Sequence, residues 1–339
     1  MEAKNNRKES SMKKQLFSIV LIALFVAGCG EQQTTGSTAP AKKTVRTKSL
    51  KPRAKIILES ALKSKNAHLR SAAIEVTVET SQKDMLPHIT RLTTDPVVPV
   101  RFNATVALGD MRQFSCEKIV RKSLNDPDVN VRIAGAYSLV KLNHPQFIEQ
   151  LRAAAKSPDQ TVRANAALLL GKLGNPDNIE LLYEVLQAND SIDKVRLQTV
   201  ESIAHLGDKR MYRSKLWALL ISKFADDRVI GIRGMGALNT TESRNAIIST
   251  LNNDNVQEVR LVAAEQLARL GDKRGEEQVY AYFKTHPDLN EPDMANQTAV
   301  MAIGPLKSPR LNRFLPEALD SQSPYIQLLA ARSVLLQLK

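Results

Sequence analysis

The sequence predicts an all-α chain, a row of similar helix pairs preceded by a targeting segment and a tether. Three observations carry this. A Val-Arg or closely related pair recurs in "PVRFNATVALG", "NVRIAGAYSLV", "TVRANAALLLGKLG", "KVRLQTVESIAHLG" and "EVRLVAAEQLARLG", and a fixed internal period is the mark of repeat architectures. Around those arginines apolar residues recur at three and four, the helical period, with no strand alternation. Aromatic residues make up only 4% of the 339 residues, which suits helices packed through Leu, Ile, Val and Ala rather than a β-sandwich.

The chain opens with a basic lead, Lys4, Arg7, Lys8, Lys13 and Lys14, and an uncharged run of 13 residues from Leu16 to Gly28. A spanning helix needs about 20 residues, a signal-peptide apolar region about 7–15. The run ends in Val26, Ala27, Gly28 and Cys29, after which the chain turns small and polar. The segment "MKKQLFSIVLIALFVAGC", from Met12, is a complete leader by itself, so translation is expected to start at Met12.

Residues 30–50, "GEQQTTGSTAPAKKTVRTKSL", lack periodicity and read as a disordered linker. The first 55 residues hold 12 of the 48 Lys and Arg but 3 of the 35 Asp and Glu, leaving 36 against 32 for the rest. The formal charge of +13 therefore sits mostly in leader and linker. Lys42, Lys43, Arg46, Lys48, Lys51, Arg53 and Lys55 either solvate the linker or draw it to anionic headgroups, at ~1 kcal/mol per cation. Nucleic-acid binding is not expected, because the folded part carries little net charge.

From residue 51 to 339 the repeats follow. Arg70, Arg101, Arg132, Arg163, Arg196, Arg233 and Arg260 are spaced by 31, 31, 31, 33, 37 and 27 residues; the unit at Arg233 is the irregular one. Two degenerate copies place Asp293 and Gln327 at the arginine position, giving about nine units. Asp95, Asp126, Ser157, Asp190, Asp227 and Asp254 each precede their arginine by six residues, where a capping acceptor belongs. Gly109, Gly174, Gly207, Gly271 and Gly304 are expected to stop the arginine helices in the left-handed conformation. A second amphipathic helix completes each unit, the two being about 12 residues each in a 31-residue period. The terminal units are expected to fray, as the free ends of a linear stack.

These features carry two resemblances. "LFVAGC" resembles the bacterial lipobox, which implies cleavage before Cys29, diacylation of its sulfur and a lipid-anchored mature chain beginning at residue 29. The Asp/Ser-Pro turn, the Val-Arg pair, the Ala-rich helix and the Leu-Gly stop resemble HEAT-like repeats of the phycobilin-lyase type. That resemblance implies a right-handed α-solenoid. It also implies a structural ladder in which arginines bond acidic residues of neighbouring turns, carried over to Arg101, Arg132, Arg163, Arg196 and Arg260 with Asp95, Asp126, Asp190 and Asp254. Anion binding is the competing role for these arginines; the acidic residue at fixed spacing favours the ladder. The ladder is expected to fail at Asp293 and Gln327.

No catalytic, cofactor or metal motif accompanies this pattern. His68, His88, His144, His205 and His286 have no partner at metal spacing, and no HExxH, Gly-x-Ser-x-Gly or Walker loop occurs. The glycines of "GIRGMGAL" follow no strand. Cys116 shares an apolar face with Ile119, Val120 and Leu124 and reads as a reduced core residue. Tyr212, Trp217 and Phe224 fall in one unit and read as core, or more sharply as a docking patch.

The expected function is that of a non-catalytic, monomeric scaffold or adaptor, anchored by lipid on Cys29 and binding envelope proteins. Gly30, in place of the aspartate that retains enterobacterial lipoproteins in the inner membrane, favours the outer membrane facing the periplasm in a Gram-negative host. The alternative is an enzyme or enzyme subunit of the HEAT-repeat bilin-lyase type, which a bound pigment would reveal.

Overall fold

The computed structural model describes residues 47–338. The leader, Cys29 and the linker up to residue 46 lie outside the described residues. Among these, the elements are helical and no strand occurs. The first helix, α1 (Thr47–Leu62), begins inside the segment expected to be linker, because Leu50, Ala54, Leu58, Ala61 and Leu62 recur at helical spacing and pack on the core.

Inner and outer helices then alternate. They are α2 (Ala67–Glu79), α3 (Leu86–Leu92), α4 (Val98–Asp110), α5 (Glu117–Ser123), α6 (Val129–Lys141), α7 (Ile148–Ala154), α8 (Gln160–Leu173), α9 (Ile179–Gln187), α10 (Asp193–His205) and α11 (Trp217–Leu220). The second half continues with α12 (Ala225–Leu238), α13 (Thr241–Asn253), α14 (Gln257–Arg269), α15 (Glu276–Thr285), α16 (Met294–Leu306), α17 (Pro309–Asn312), α18 (Leu315–Asp320) and α19 (Pro324–Gln337). Inner helices are the even-numbered ones through α16, together with α19. They carry the arginine motif and form the inside wall.

The two helices of a unit are not equal. Inner helices run 13 or 14 residues, whereas α3, α5 and α7 hold seven. Each of these three, and α9, is preceded by a three-residue 3-10 turn, such as Phe114–Cys116. Pro145 and Pro176 open two of these turns, where a missing donor costs little. Cys116, in its 3-10 turn, is buried in the core.

Small residues let inner helices converge. A Cβ on Gly109 would lie 2.7 Å from the Ser138 backbone, and one on Gly171 2.7 Å from Ser202 Cβ. The expected glycine stops divide accordingly. Gly174, Gly207 and Gly271 adopt φ of 72°, 81° and 82° after their helices. Gly109 and Gly304 lie inside α4 and α16, and Arg112 and Lys307 take the left-handed turn.

The row does not end free, which corrects the expected frayed ends. The last helix, α19, packs on both α1 and α2. Arg53 of α1 donates to the Asp320 carboxylate and, at 3.0 Å, to the Leu319 carbonyl. Nine inner helices therefore surround one axis, with α1 filling the outer position at the seam. A closed ring buries both terminal faces that an open stack would expose to water.

Candidate functional site

The turns that enter the inner helices line one rim. At most of these turns the residue six before the ladder position accepts a backbone N–H two residues on; at Asp190 the Ile192 N–H goes to the Gln160 side chain instead. Asp95 accepts from Val97, Asp126 from Asp128, Ser157 from Asp159, Ser222 from Phe224, Asp254 from Val256 and Ser321 from Ser323. This is the Asx or Ser turn that these residue types form readily.

Where that turn residue is an aspartate, the arginine of the preceding unit reaches forward to it. Arg70 donates to Asp95 at 2.9 and 2.7 Å, Arg101 to Asp126 at 2.8 Å twice, Arg163 to Asp190 at 2.8 Å twice, and Arg228 to Asp254 at 2.7 and 2.9 Å. Burial works against the Asp126 carboxylate, yet Arg101 and the Asp128 N–H hold its pKa below the usual carboxylate range. One carboxylate thus fixes both its own turn and the spacing to the previous unit.

Three expected rungs are different. Arg132 donates to the Asp126 and Pro127 carbonyls, Arg196 to those of Leu186, Ala188 and Ser191, and Arg260 to that of Asp254. The turns ahead of Arg132 and Arg196 contain Ser157 and Ser222, which have no carboxylate to offer. Two further positions depart from the expected ladder. Arg70 is a full rung, and in the irregular unit the ladder residue is Arg228, not Arg233. With Arg228 the late spacings become 32 and 32, so the irregularity vanishes. Similarly, Asp293 is the N-cap of α16, accepting from the Asn296 N–H, and Gln297 takes the arginine's place on the Pro292 carbonyl. Gln327 does so on the Ser321 carbonyl at 2.7 Å.

Charged groups of the inner helices meet at the axis. Glu79 on α2 receives Arg332 of α19 at 2.6 and 2.5 Å and Arg269 of α14 at 3.0 Å. Burial opposes its ionisation, but the two guanidinium groups hold its pKa below the ordinary value. Arg269 also pairs with Glu265. On the opposite wall Lys172 bonds Asp110 at 2.8 Å, and the Tyr137 hydroxyl donates to the same carboxylate.

Beside these pairs lies a cavity of about 460 Å³. Ile74, Phe102, Val106, Leu168, Met301 and Leu329 give it apolar walls, and Glu75, Gln198, Glu201 and His205 also line it. Burial pushes the Glu75 carboxyl up to about 7, against the pull of Lys172 and with the push of Glu79. Burial likewise raises Glu201, opposed by Arg233, and lowers His205, helped by Lys172. Among the described residues no cluster of three or more His, Cys, Asp or Glu could hold a metal ion, and no helix is long and apolar enough to cross a membrane.

The aromatic unit is exposed rather than core. Trp217 is 44% exposed, Ile221 63% and Phe224 53%; only Tyr212 leans on the core, 6.0 Å from the Trp217 ring. Val97, Ile192 and Phe224 occupy the same position, the N-cap of an inner helix, and all three are exposed. The rim of the Asx turns therefore carries exposed apolar side chains at three of its nine N-caps, the others being Val256 and polar residues such as Asp128, Asp159 and Asp293. Nothing in the linear pattern distinguished these from core positions.

A sequence-family profile described as HEAT repeats matches residues 117–204. No curated protein matches the sequence. Among solved structures, the chain is similar to the complex of CpcE and CpcF of phycocyanin lyase from Nostoc sp., with a TM-score of 0.44 and 17% identity over 76% of this chain and 99% of that one. It is similar to human deoxyhypusine hydroxylase, with a TM-score of 0.36 and 15% identity over 77% of this chain and 97% of that one. It is also similar to importin beta, with a TM-score of 0.35 and 13% identity over 84% of this chain and 46% of that one.

Proposed function

We propose that this HEAT-like helical ring is a non-catalytic interaction module, tethered to the bacterial cell envelope by lipid on Cys29. The apolar rim carries the reading: Ile192, Ile221 and Phe224, each at least half exposed, expose apolar area that a protein partner would remove from water. The topology adds an orientation. α1 runs into the Asx-turn rim, so its start at Thr47 lies on the opposite rim. The 17 linker residues from Gly30 to Arg46 span about 58 Å when fully extended. The anchored ring turns its basic linker toward anionic headgroups and its apolar rim toward a partner, on the outer membrane of a Gram-negative host.

Two measurements test this. Cys29→Ser should remove the lipid mass from the mature chain and release it from membranes; membrane retention of the unlipidated chain would overturn the anchor. A photo-crosslinker at Phe224 should capture an envelope protein that one at Glu149, on the outer wall, does not. Equal capture at both positions would overturn the rim.

A further inference from the structure

The axial charges almost cancel, and the remainder points to a ligand. Glu79 is neutralised by Arg269 and Arg332, Asp110 by Lys172, and Glu265 by Arg269. Arg233 pulls Glu201 toward ionisation. Counted over the axis, five carboxyl groups (Glu75, Glu79, Asp110, Glu201 and Glu265) face four cations (Lys172, Arg233, Arg269 and Arg332). Among the described residues no hydrogen bond or ion pair reaches either Glu75 or Glu201; Glu201 has Arg233 nearby, whereas the cation near Glu75, Lys172, is bonded to Asp110. Across the cavity, on α10, the Gln198 Nε2 is buried and also has no acceptor. The cavity thus offers a carboxyl without a bonded partner and a buried amide donor without an acceptor, within apolar walls.

The fold adds a field of the same sign. Inner helices all run from the Asx-turn rim to the other rim, so their dipoles are parallel. The cavity lies along their C-terminal halves: Glu75 and Glu79 in α2, Asp110 at the end of α4, Lys172 in α8, His205 at the end of α10 and Arg269 at the end of α14. Carbonyl ends of parallel helices favour a cation. Lys172 and Arg269 answer part of this field, but both are tied to carboxylates already.

We propose that the axial cavity binds a primary amine with an apolar body and a hydrogen-bond acceptor at its far end. The ammonium pairs with Glu75, the body lies against Phe102, Val106 and Leu168, and the acceptor receives the Gln198 amide. A lysine-like side chain with a nearby carbonyl has this form. Glu75 faces Glu79 on its own helix, Lys172 from α8, Asp110 from α4, Glu201 and His205 from α10, Arg269 from α14 and Arg332 from α19. With a carboxyl that is largely protonated below neutrality, the ammonium displaces a proton on binding. This is independent of the anchoring and of the apolar rim.

The probes are N-acetylcadaverine, which has all three features, and N-pentylacetamide, which lacks the ammonium. Titration calorimetry on the mature chain should show one site for the amine, with the neutral analogue at least about tenfold weaker, the factor one matched charge supplies. Near pH 6 amine binding should release a proton, read from heats in buffers of different ionisation enthalpy. Glu75→Gln should reduce amine affinity to that of the neutral analogue while leaving the latter unchanged, which also reports an intact cavity. Equal affinity for the two probes, no binding of either, or full amine affinity in Glu75→Gln would overturn the site. Should that variant not fold, the preference and the proton release in the parent chain decide.

Discussion

Glu79 and Arg332 are 253 positions apart in the chain and share a two-pronged ion pair at the ring axis, with Nε–Oε2 at 2.6 Å and Nη2–Oε1 at 2.5 Å. Arg332 is 2% exposed and also donates to the Met301 carbonyl at 3.1 Å. The last helix is thus locked to the first repeat by a group that tolerates no solvent in its place.

Arg332→Met leaves Glu79, a third exposed, with Arg269 as its remaining partner. The loss should be ~1.5–3 kcal/mol in urea unfolding, the range for hydrogen bonds to a charged group. Deleting residues 47–62 should also lower the melting temperature cooperatively, with one transition. A variant of either kind that melts like the parent would show that the ends behave as the free ends of an open row.

Glu75 and Glu79 sit one turn apart on α2 and should respond to pH with opposite sign. Glu75 titrates near 7 in the fold against an unfolded value near 4.3. Between those values the folded state binds the extra proton, so its contribution falls as pH rises through that window. Glu79 has a lowered pKa in the fold, so its contribution is present above the ordinary carboxylate range and is lost on acidification. Glu75→Gln should therefore gain stability over the parent as pH rises from about 4.5 to 7, by ~1–3 kcal/mol. Glu79→Gln should be costly at neutral pH and less so in acid. Parallel pH curves for variant and parent would contradict both.

The turn ahead of Arg132 holds Ser157 where the full rungs have an aspartate, and its Asp159 is engaged in capping α8. Ser157→Asp recreates the Asp-Pro-Asp turn found at Asp126 to Asp128 and offers Arg132 the missing partner. The gain should be ~1 kcal/mol in urea midpoint terms, and Arg132→Met in that background should abolish it. A neutral or destabilising Ser157→Asp would mean that Arg132 is already fully satisfied by its carbonyls.

Alanine is a better helix former than glycine by ~1 kcal/mol, yet Gly109→Ala inside α4 should destabilise. Its Cβ would fall 2.7 Å from the Ser138 backbone and side chain, and overpacking costs ~1–3 kcal/mol. Thermal melting decides the sign; an increase would mean that α4 and α6 have room to part.

The local rules of this protein were written in its sequence. Helical period, a recurring arginine and an Asp or Ser six residues before it determined an all-α row of nine pairs, because each depends only on residues within one turn or one unit. The register of single units was harder. Arg233 and Asp293 sit in motifs as plausible as those of Arg228 and Gln297, and only the turn bond of Ser222 or the Pro292 carbonyl separates them. Closure of the ring, the pairing of Glu79 with Arg332, the unbonded Glu75 and the exposure of Phe224 were decided by tertiary structure. Each is a relation between units far apart, set by a small rotation per repeat summed nine times, and no local pattern encodes that sum.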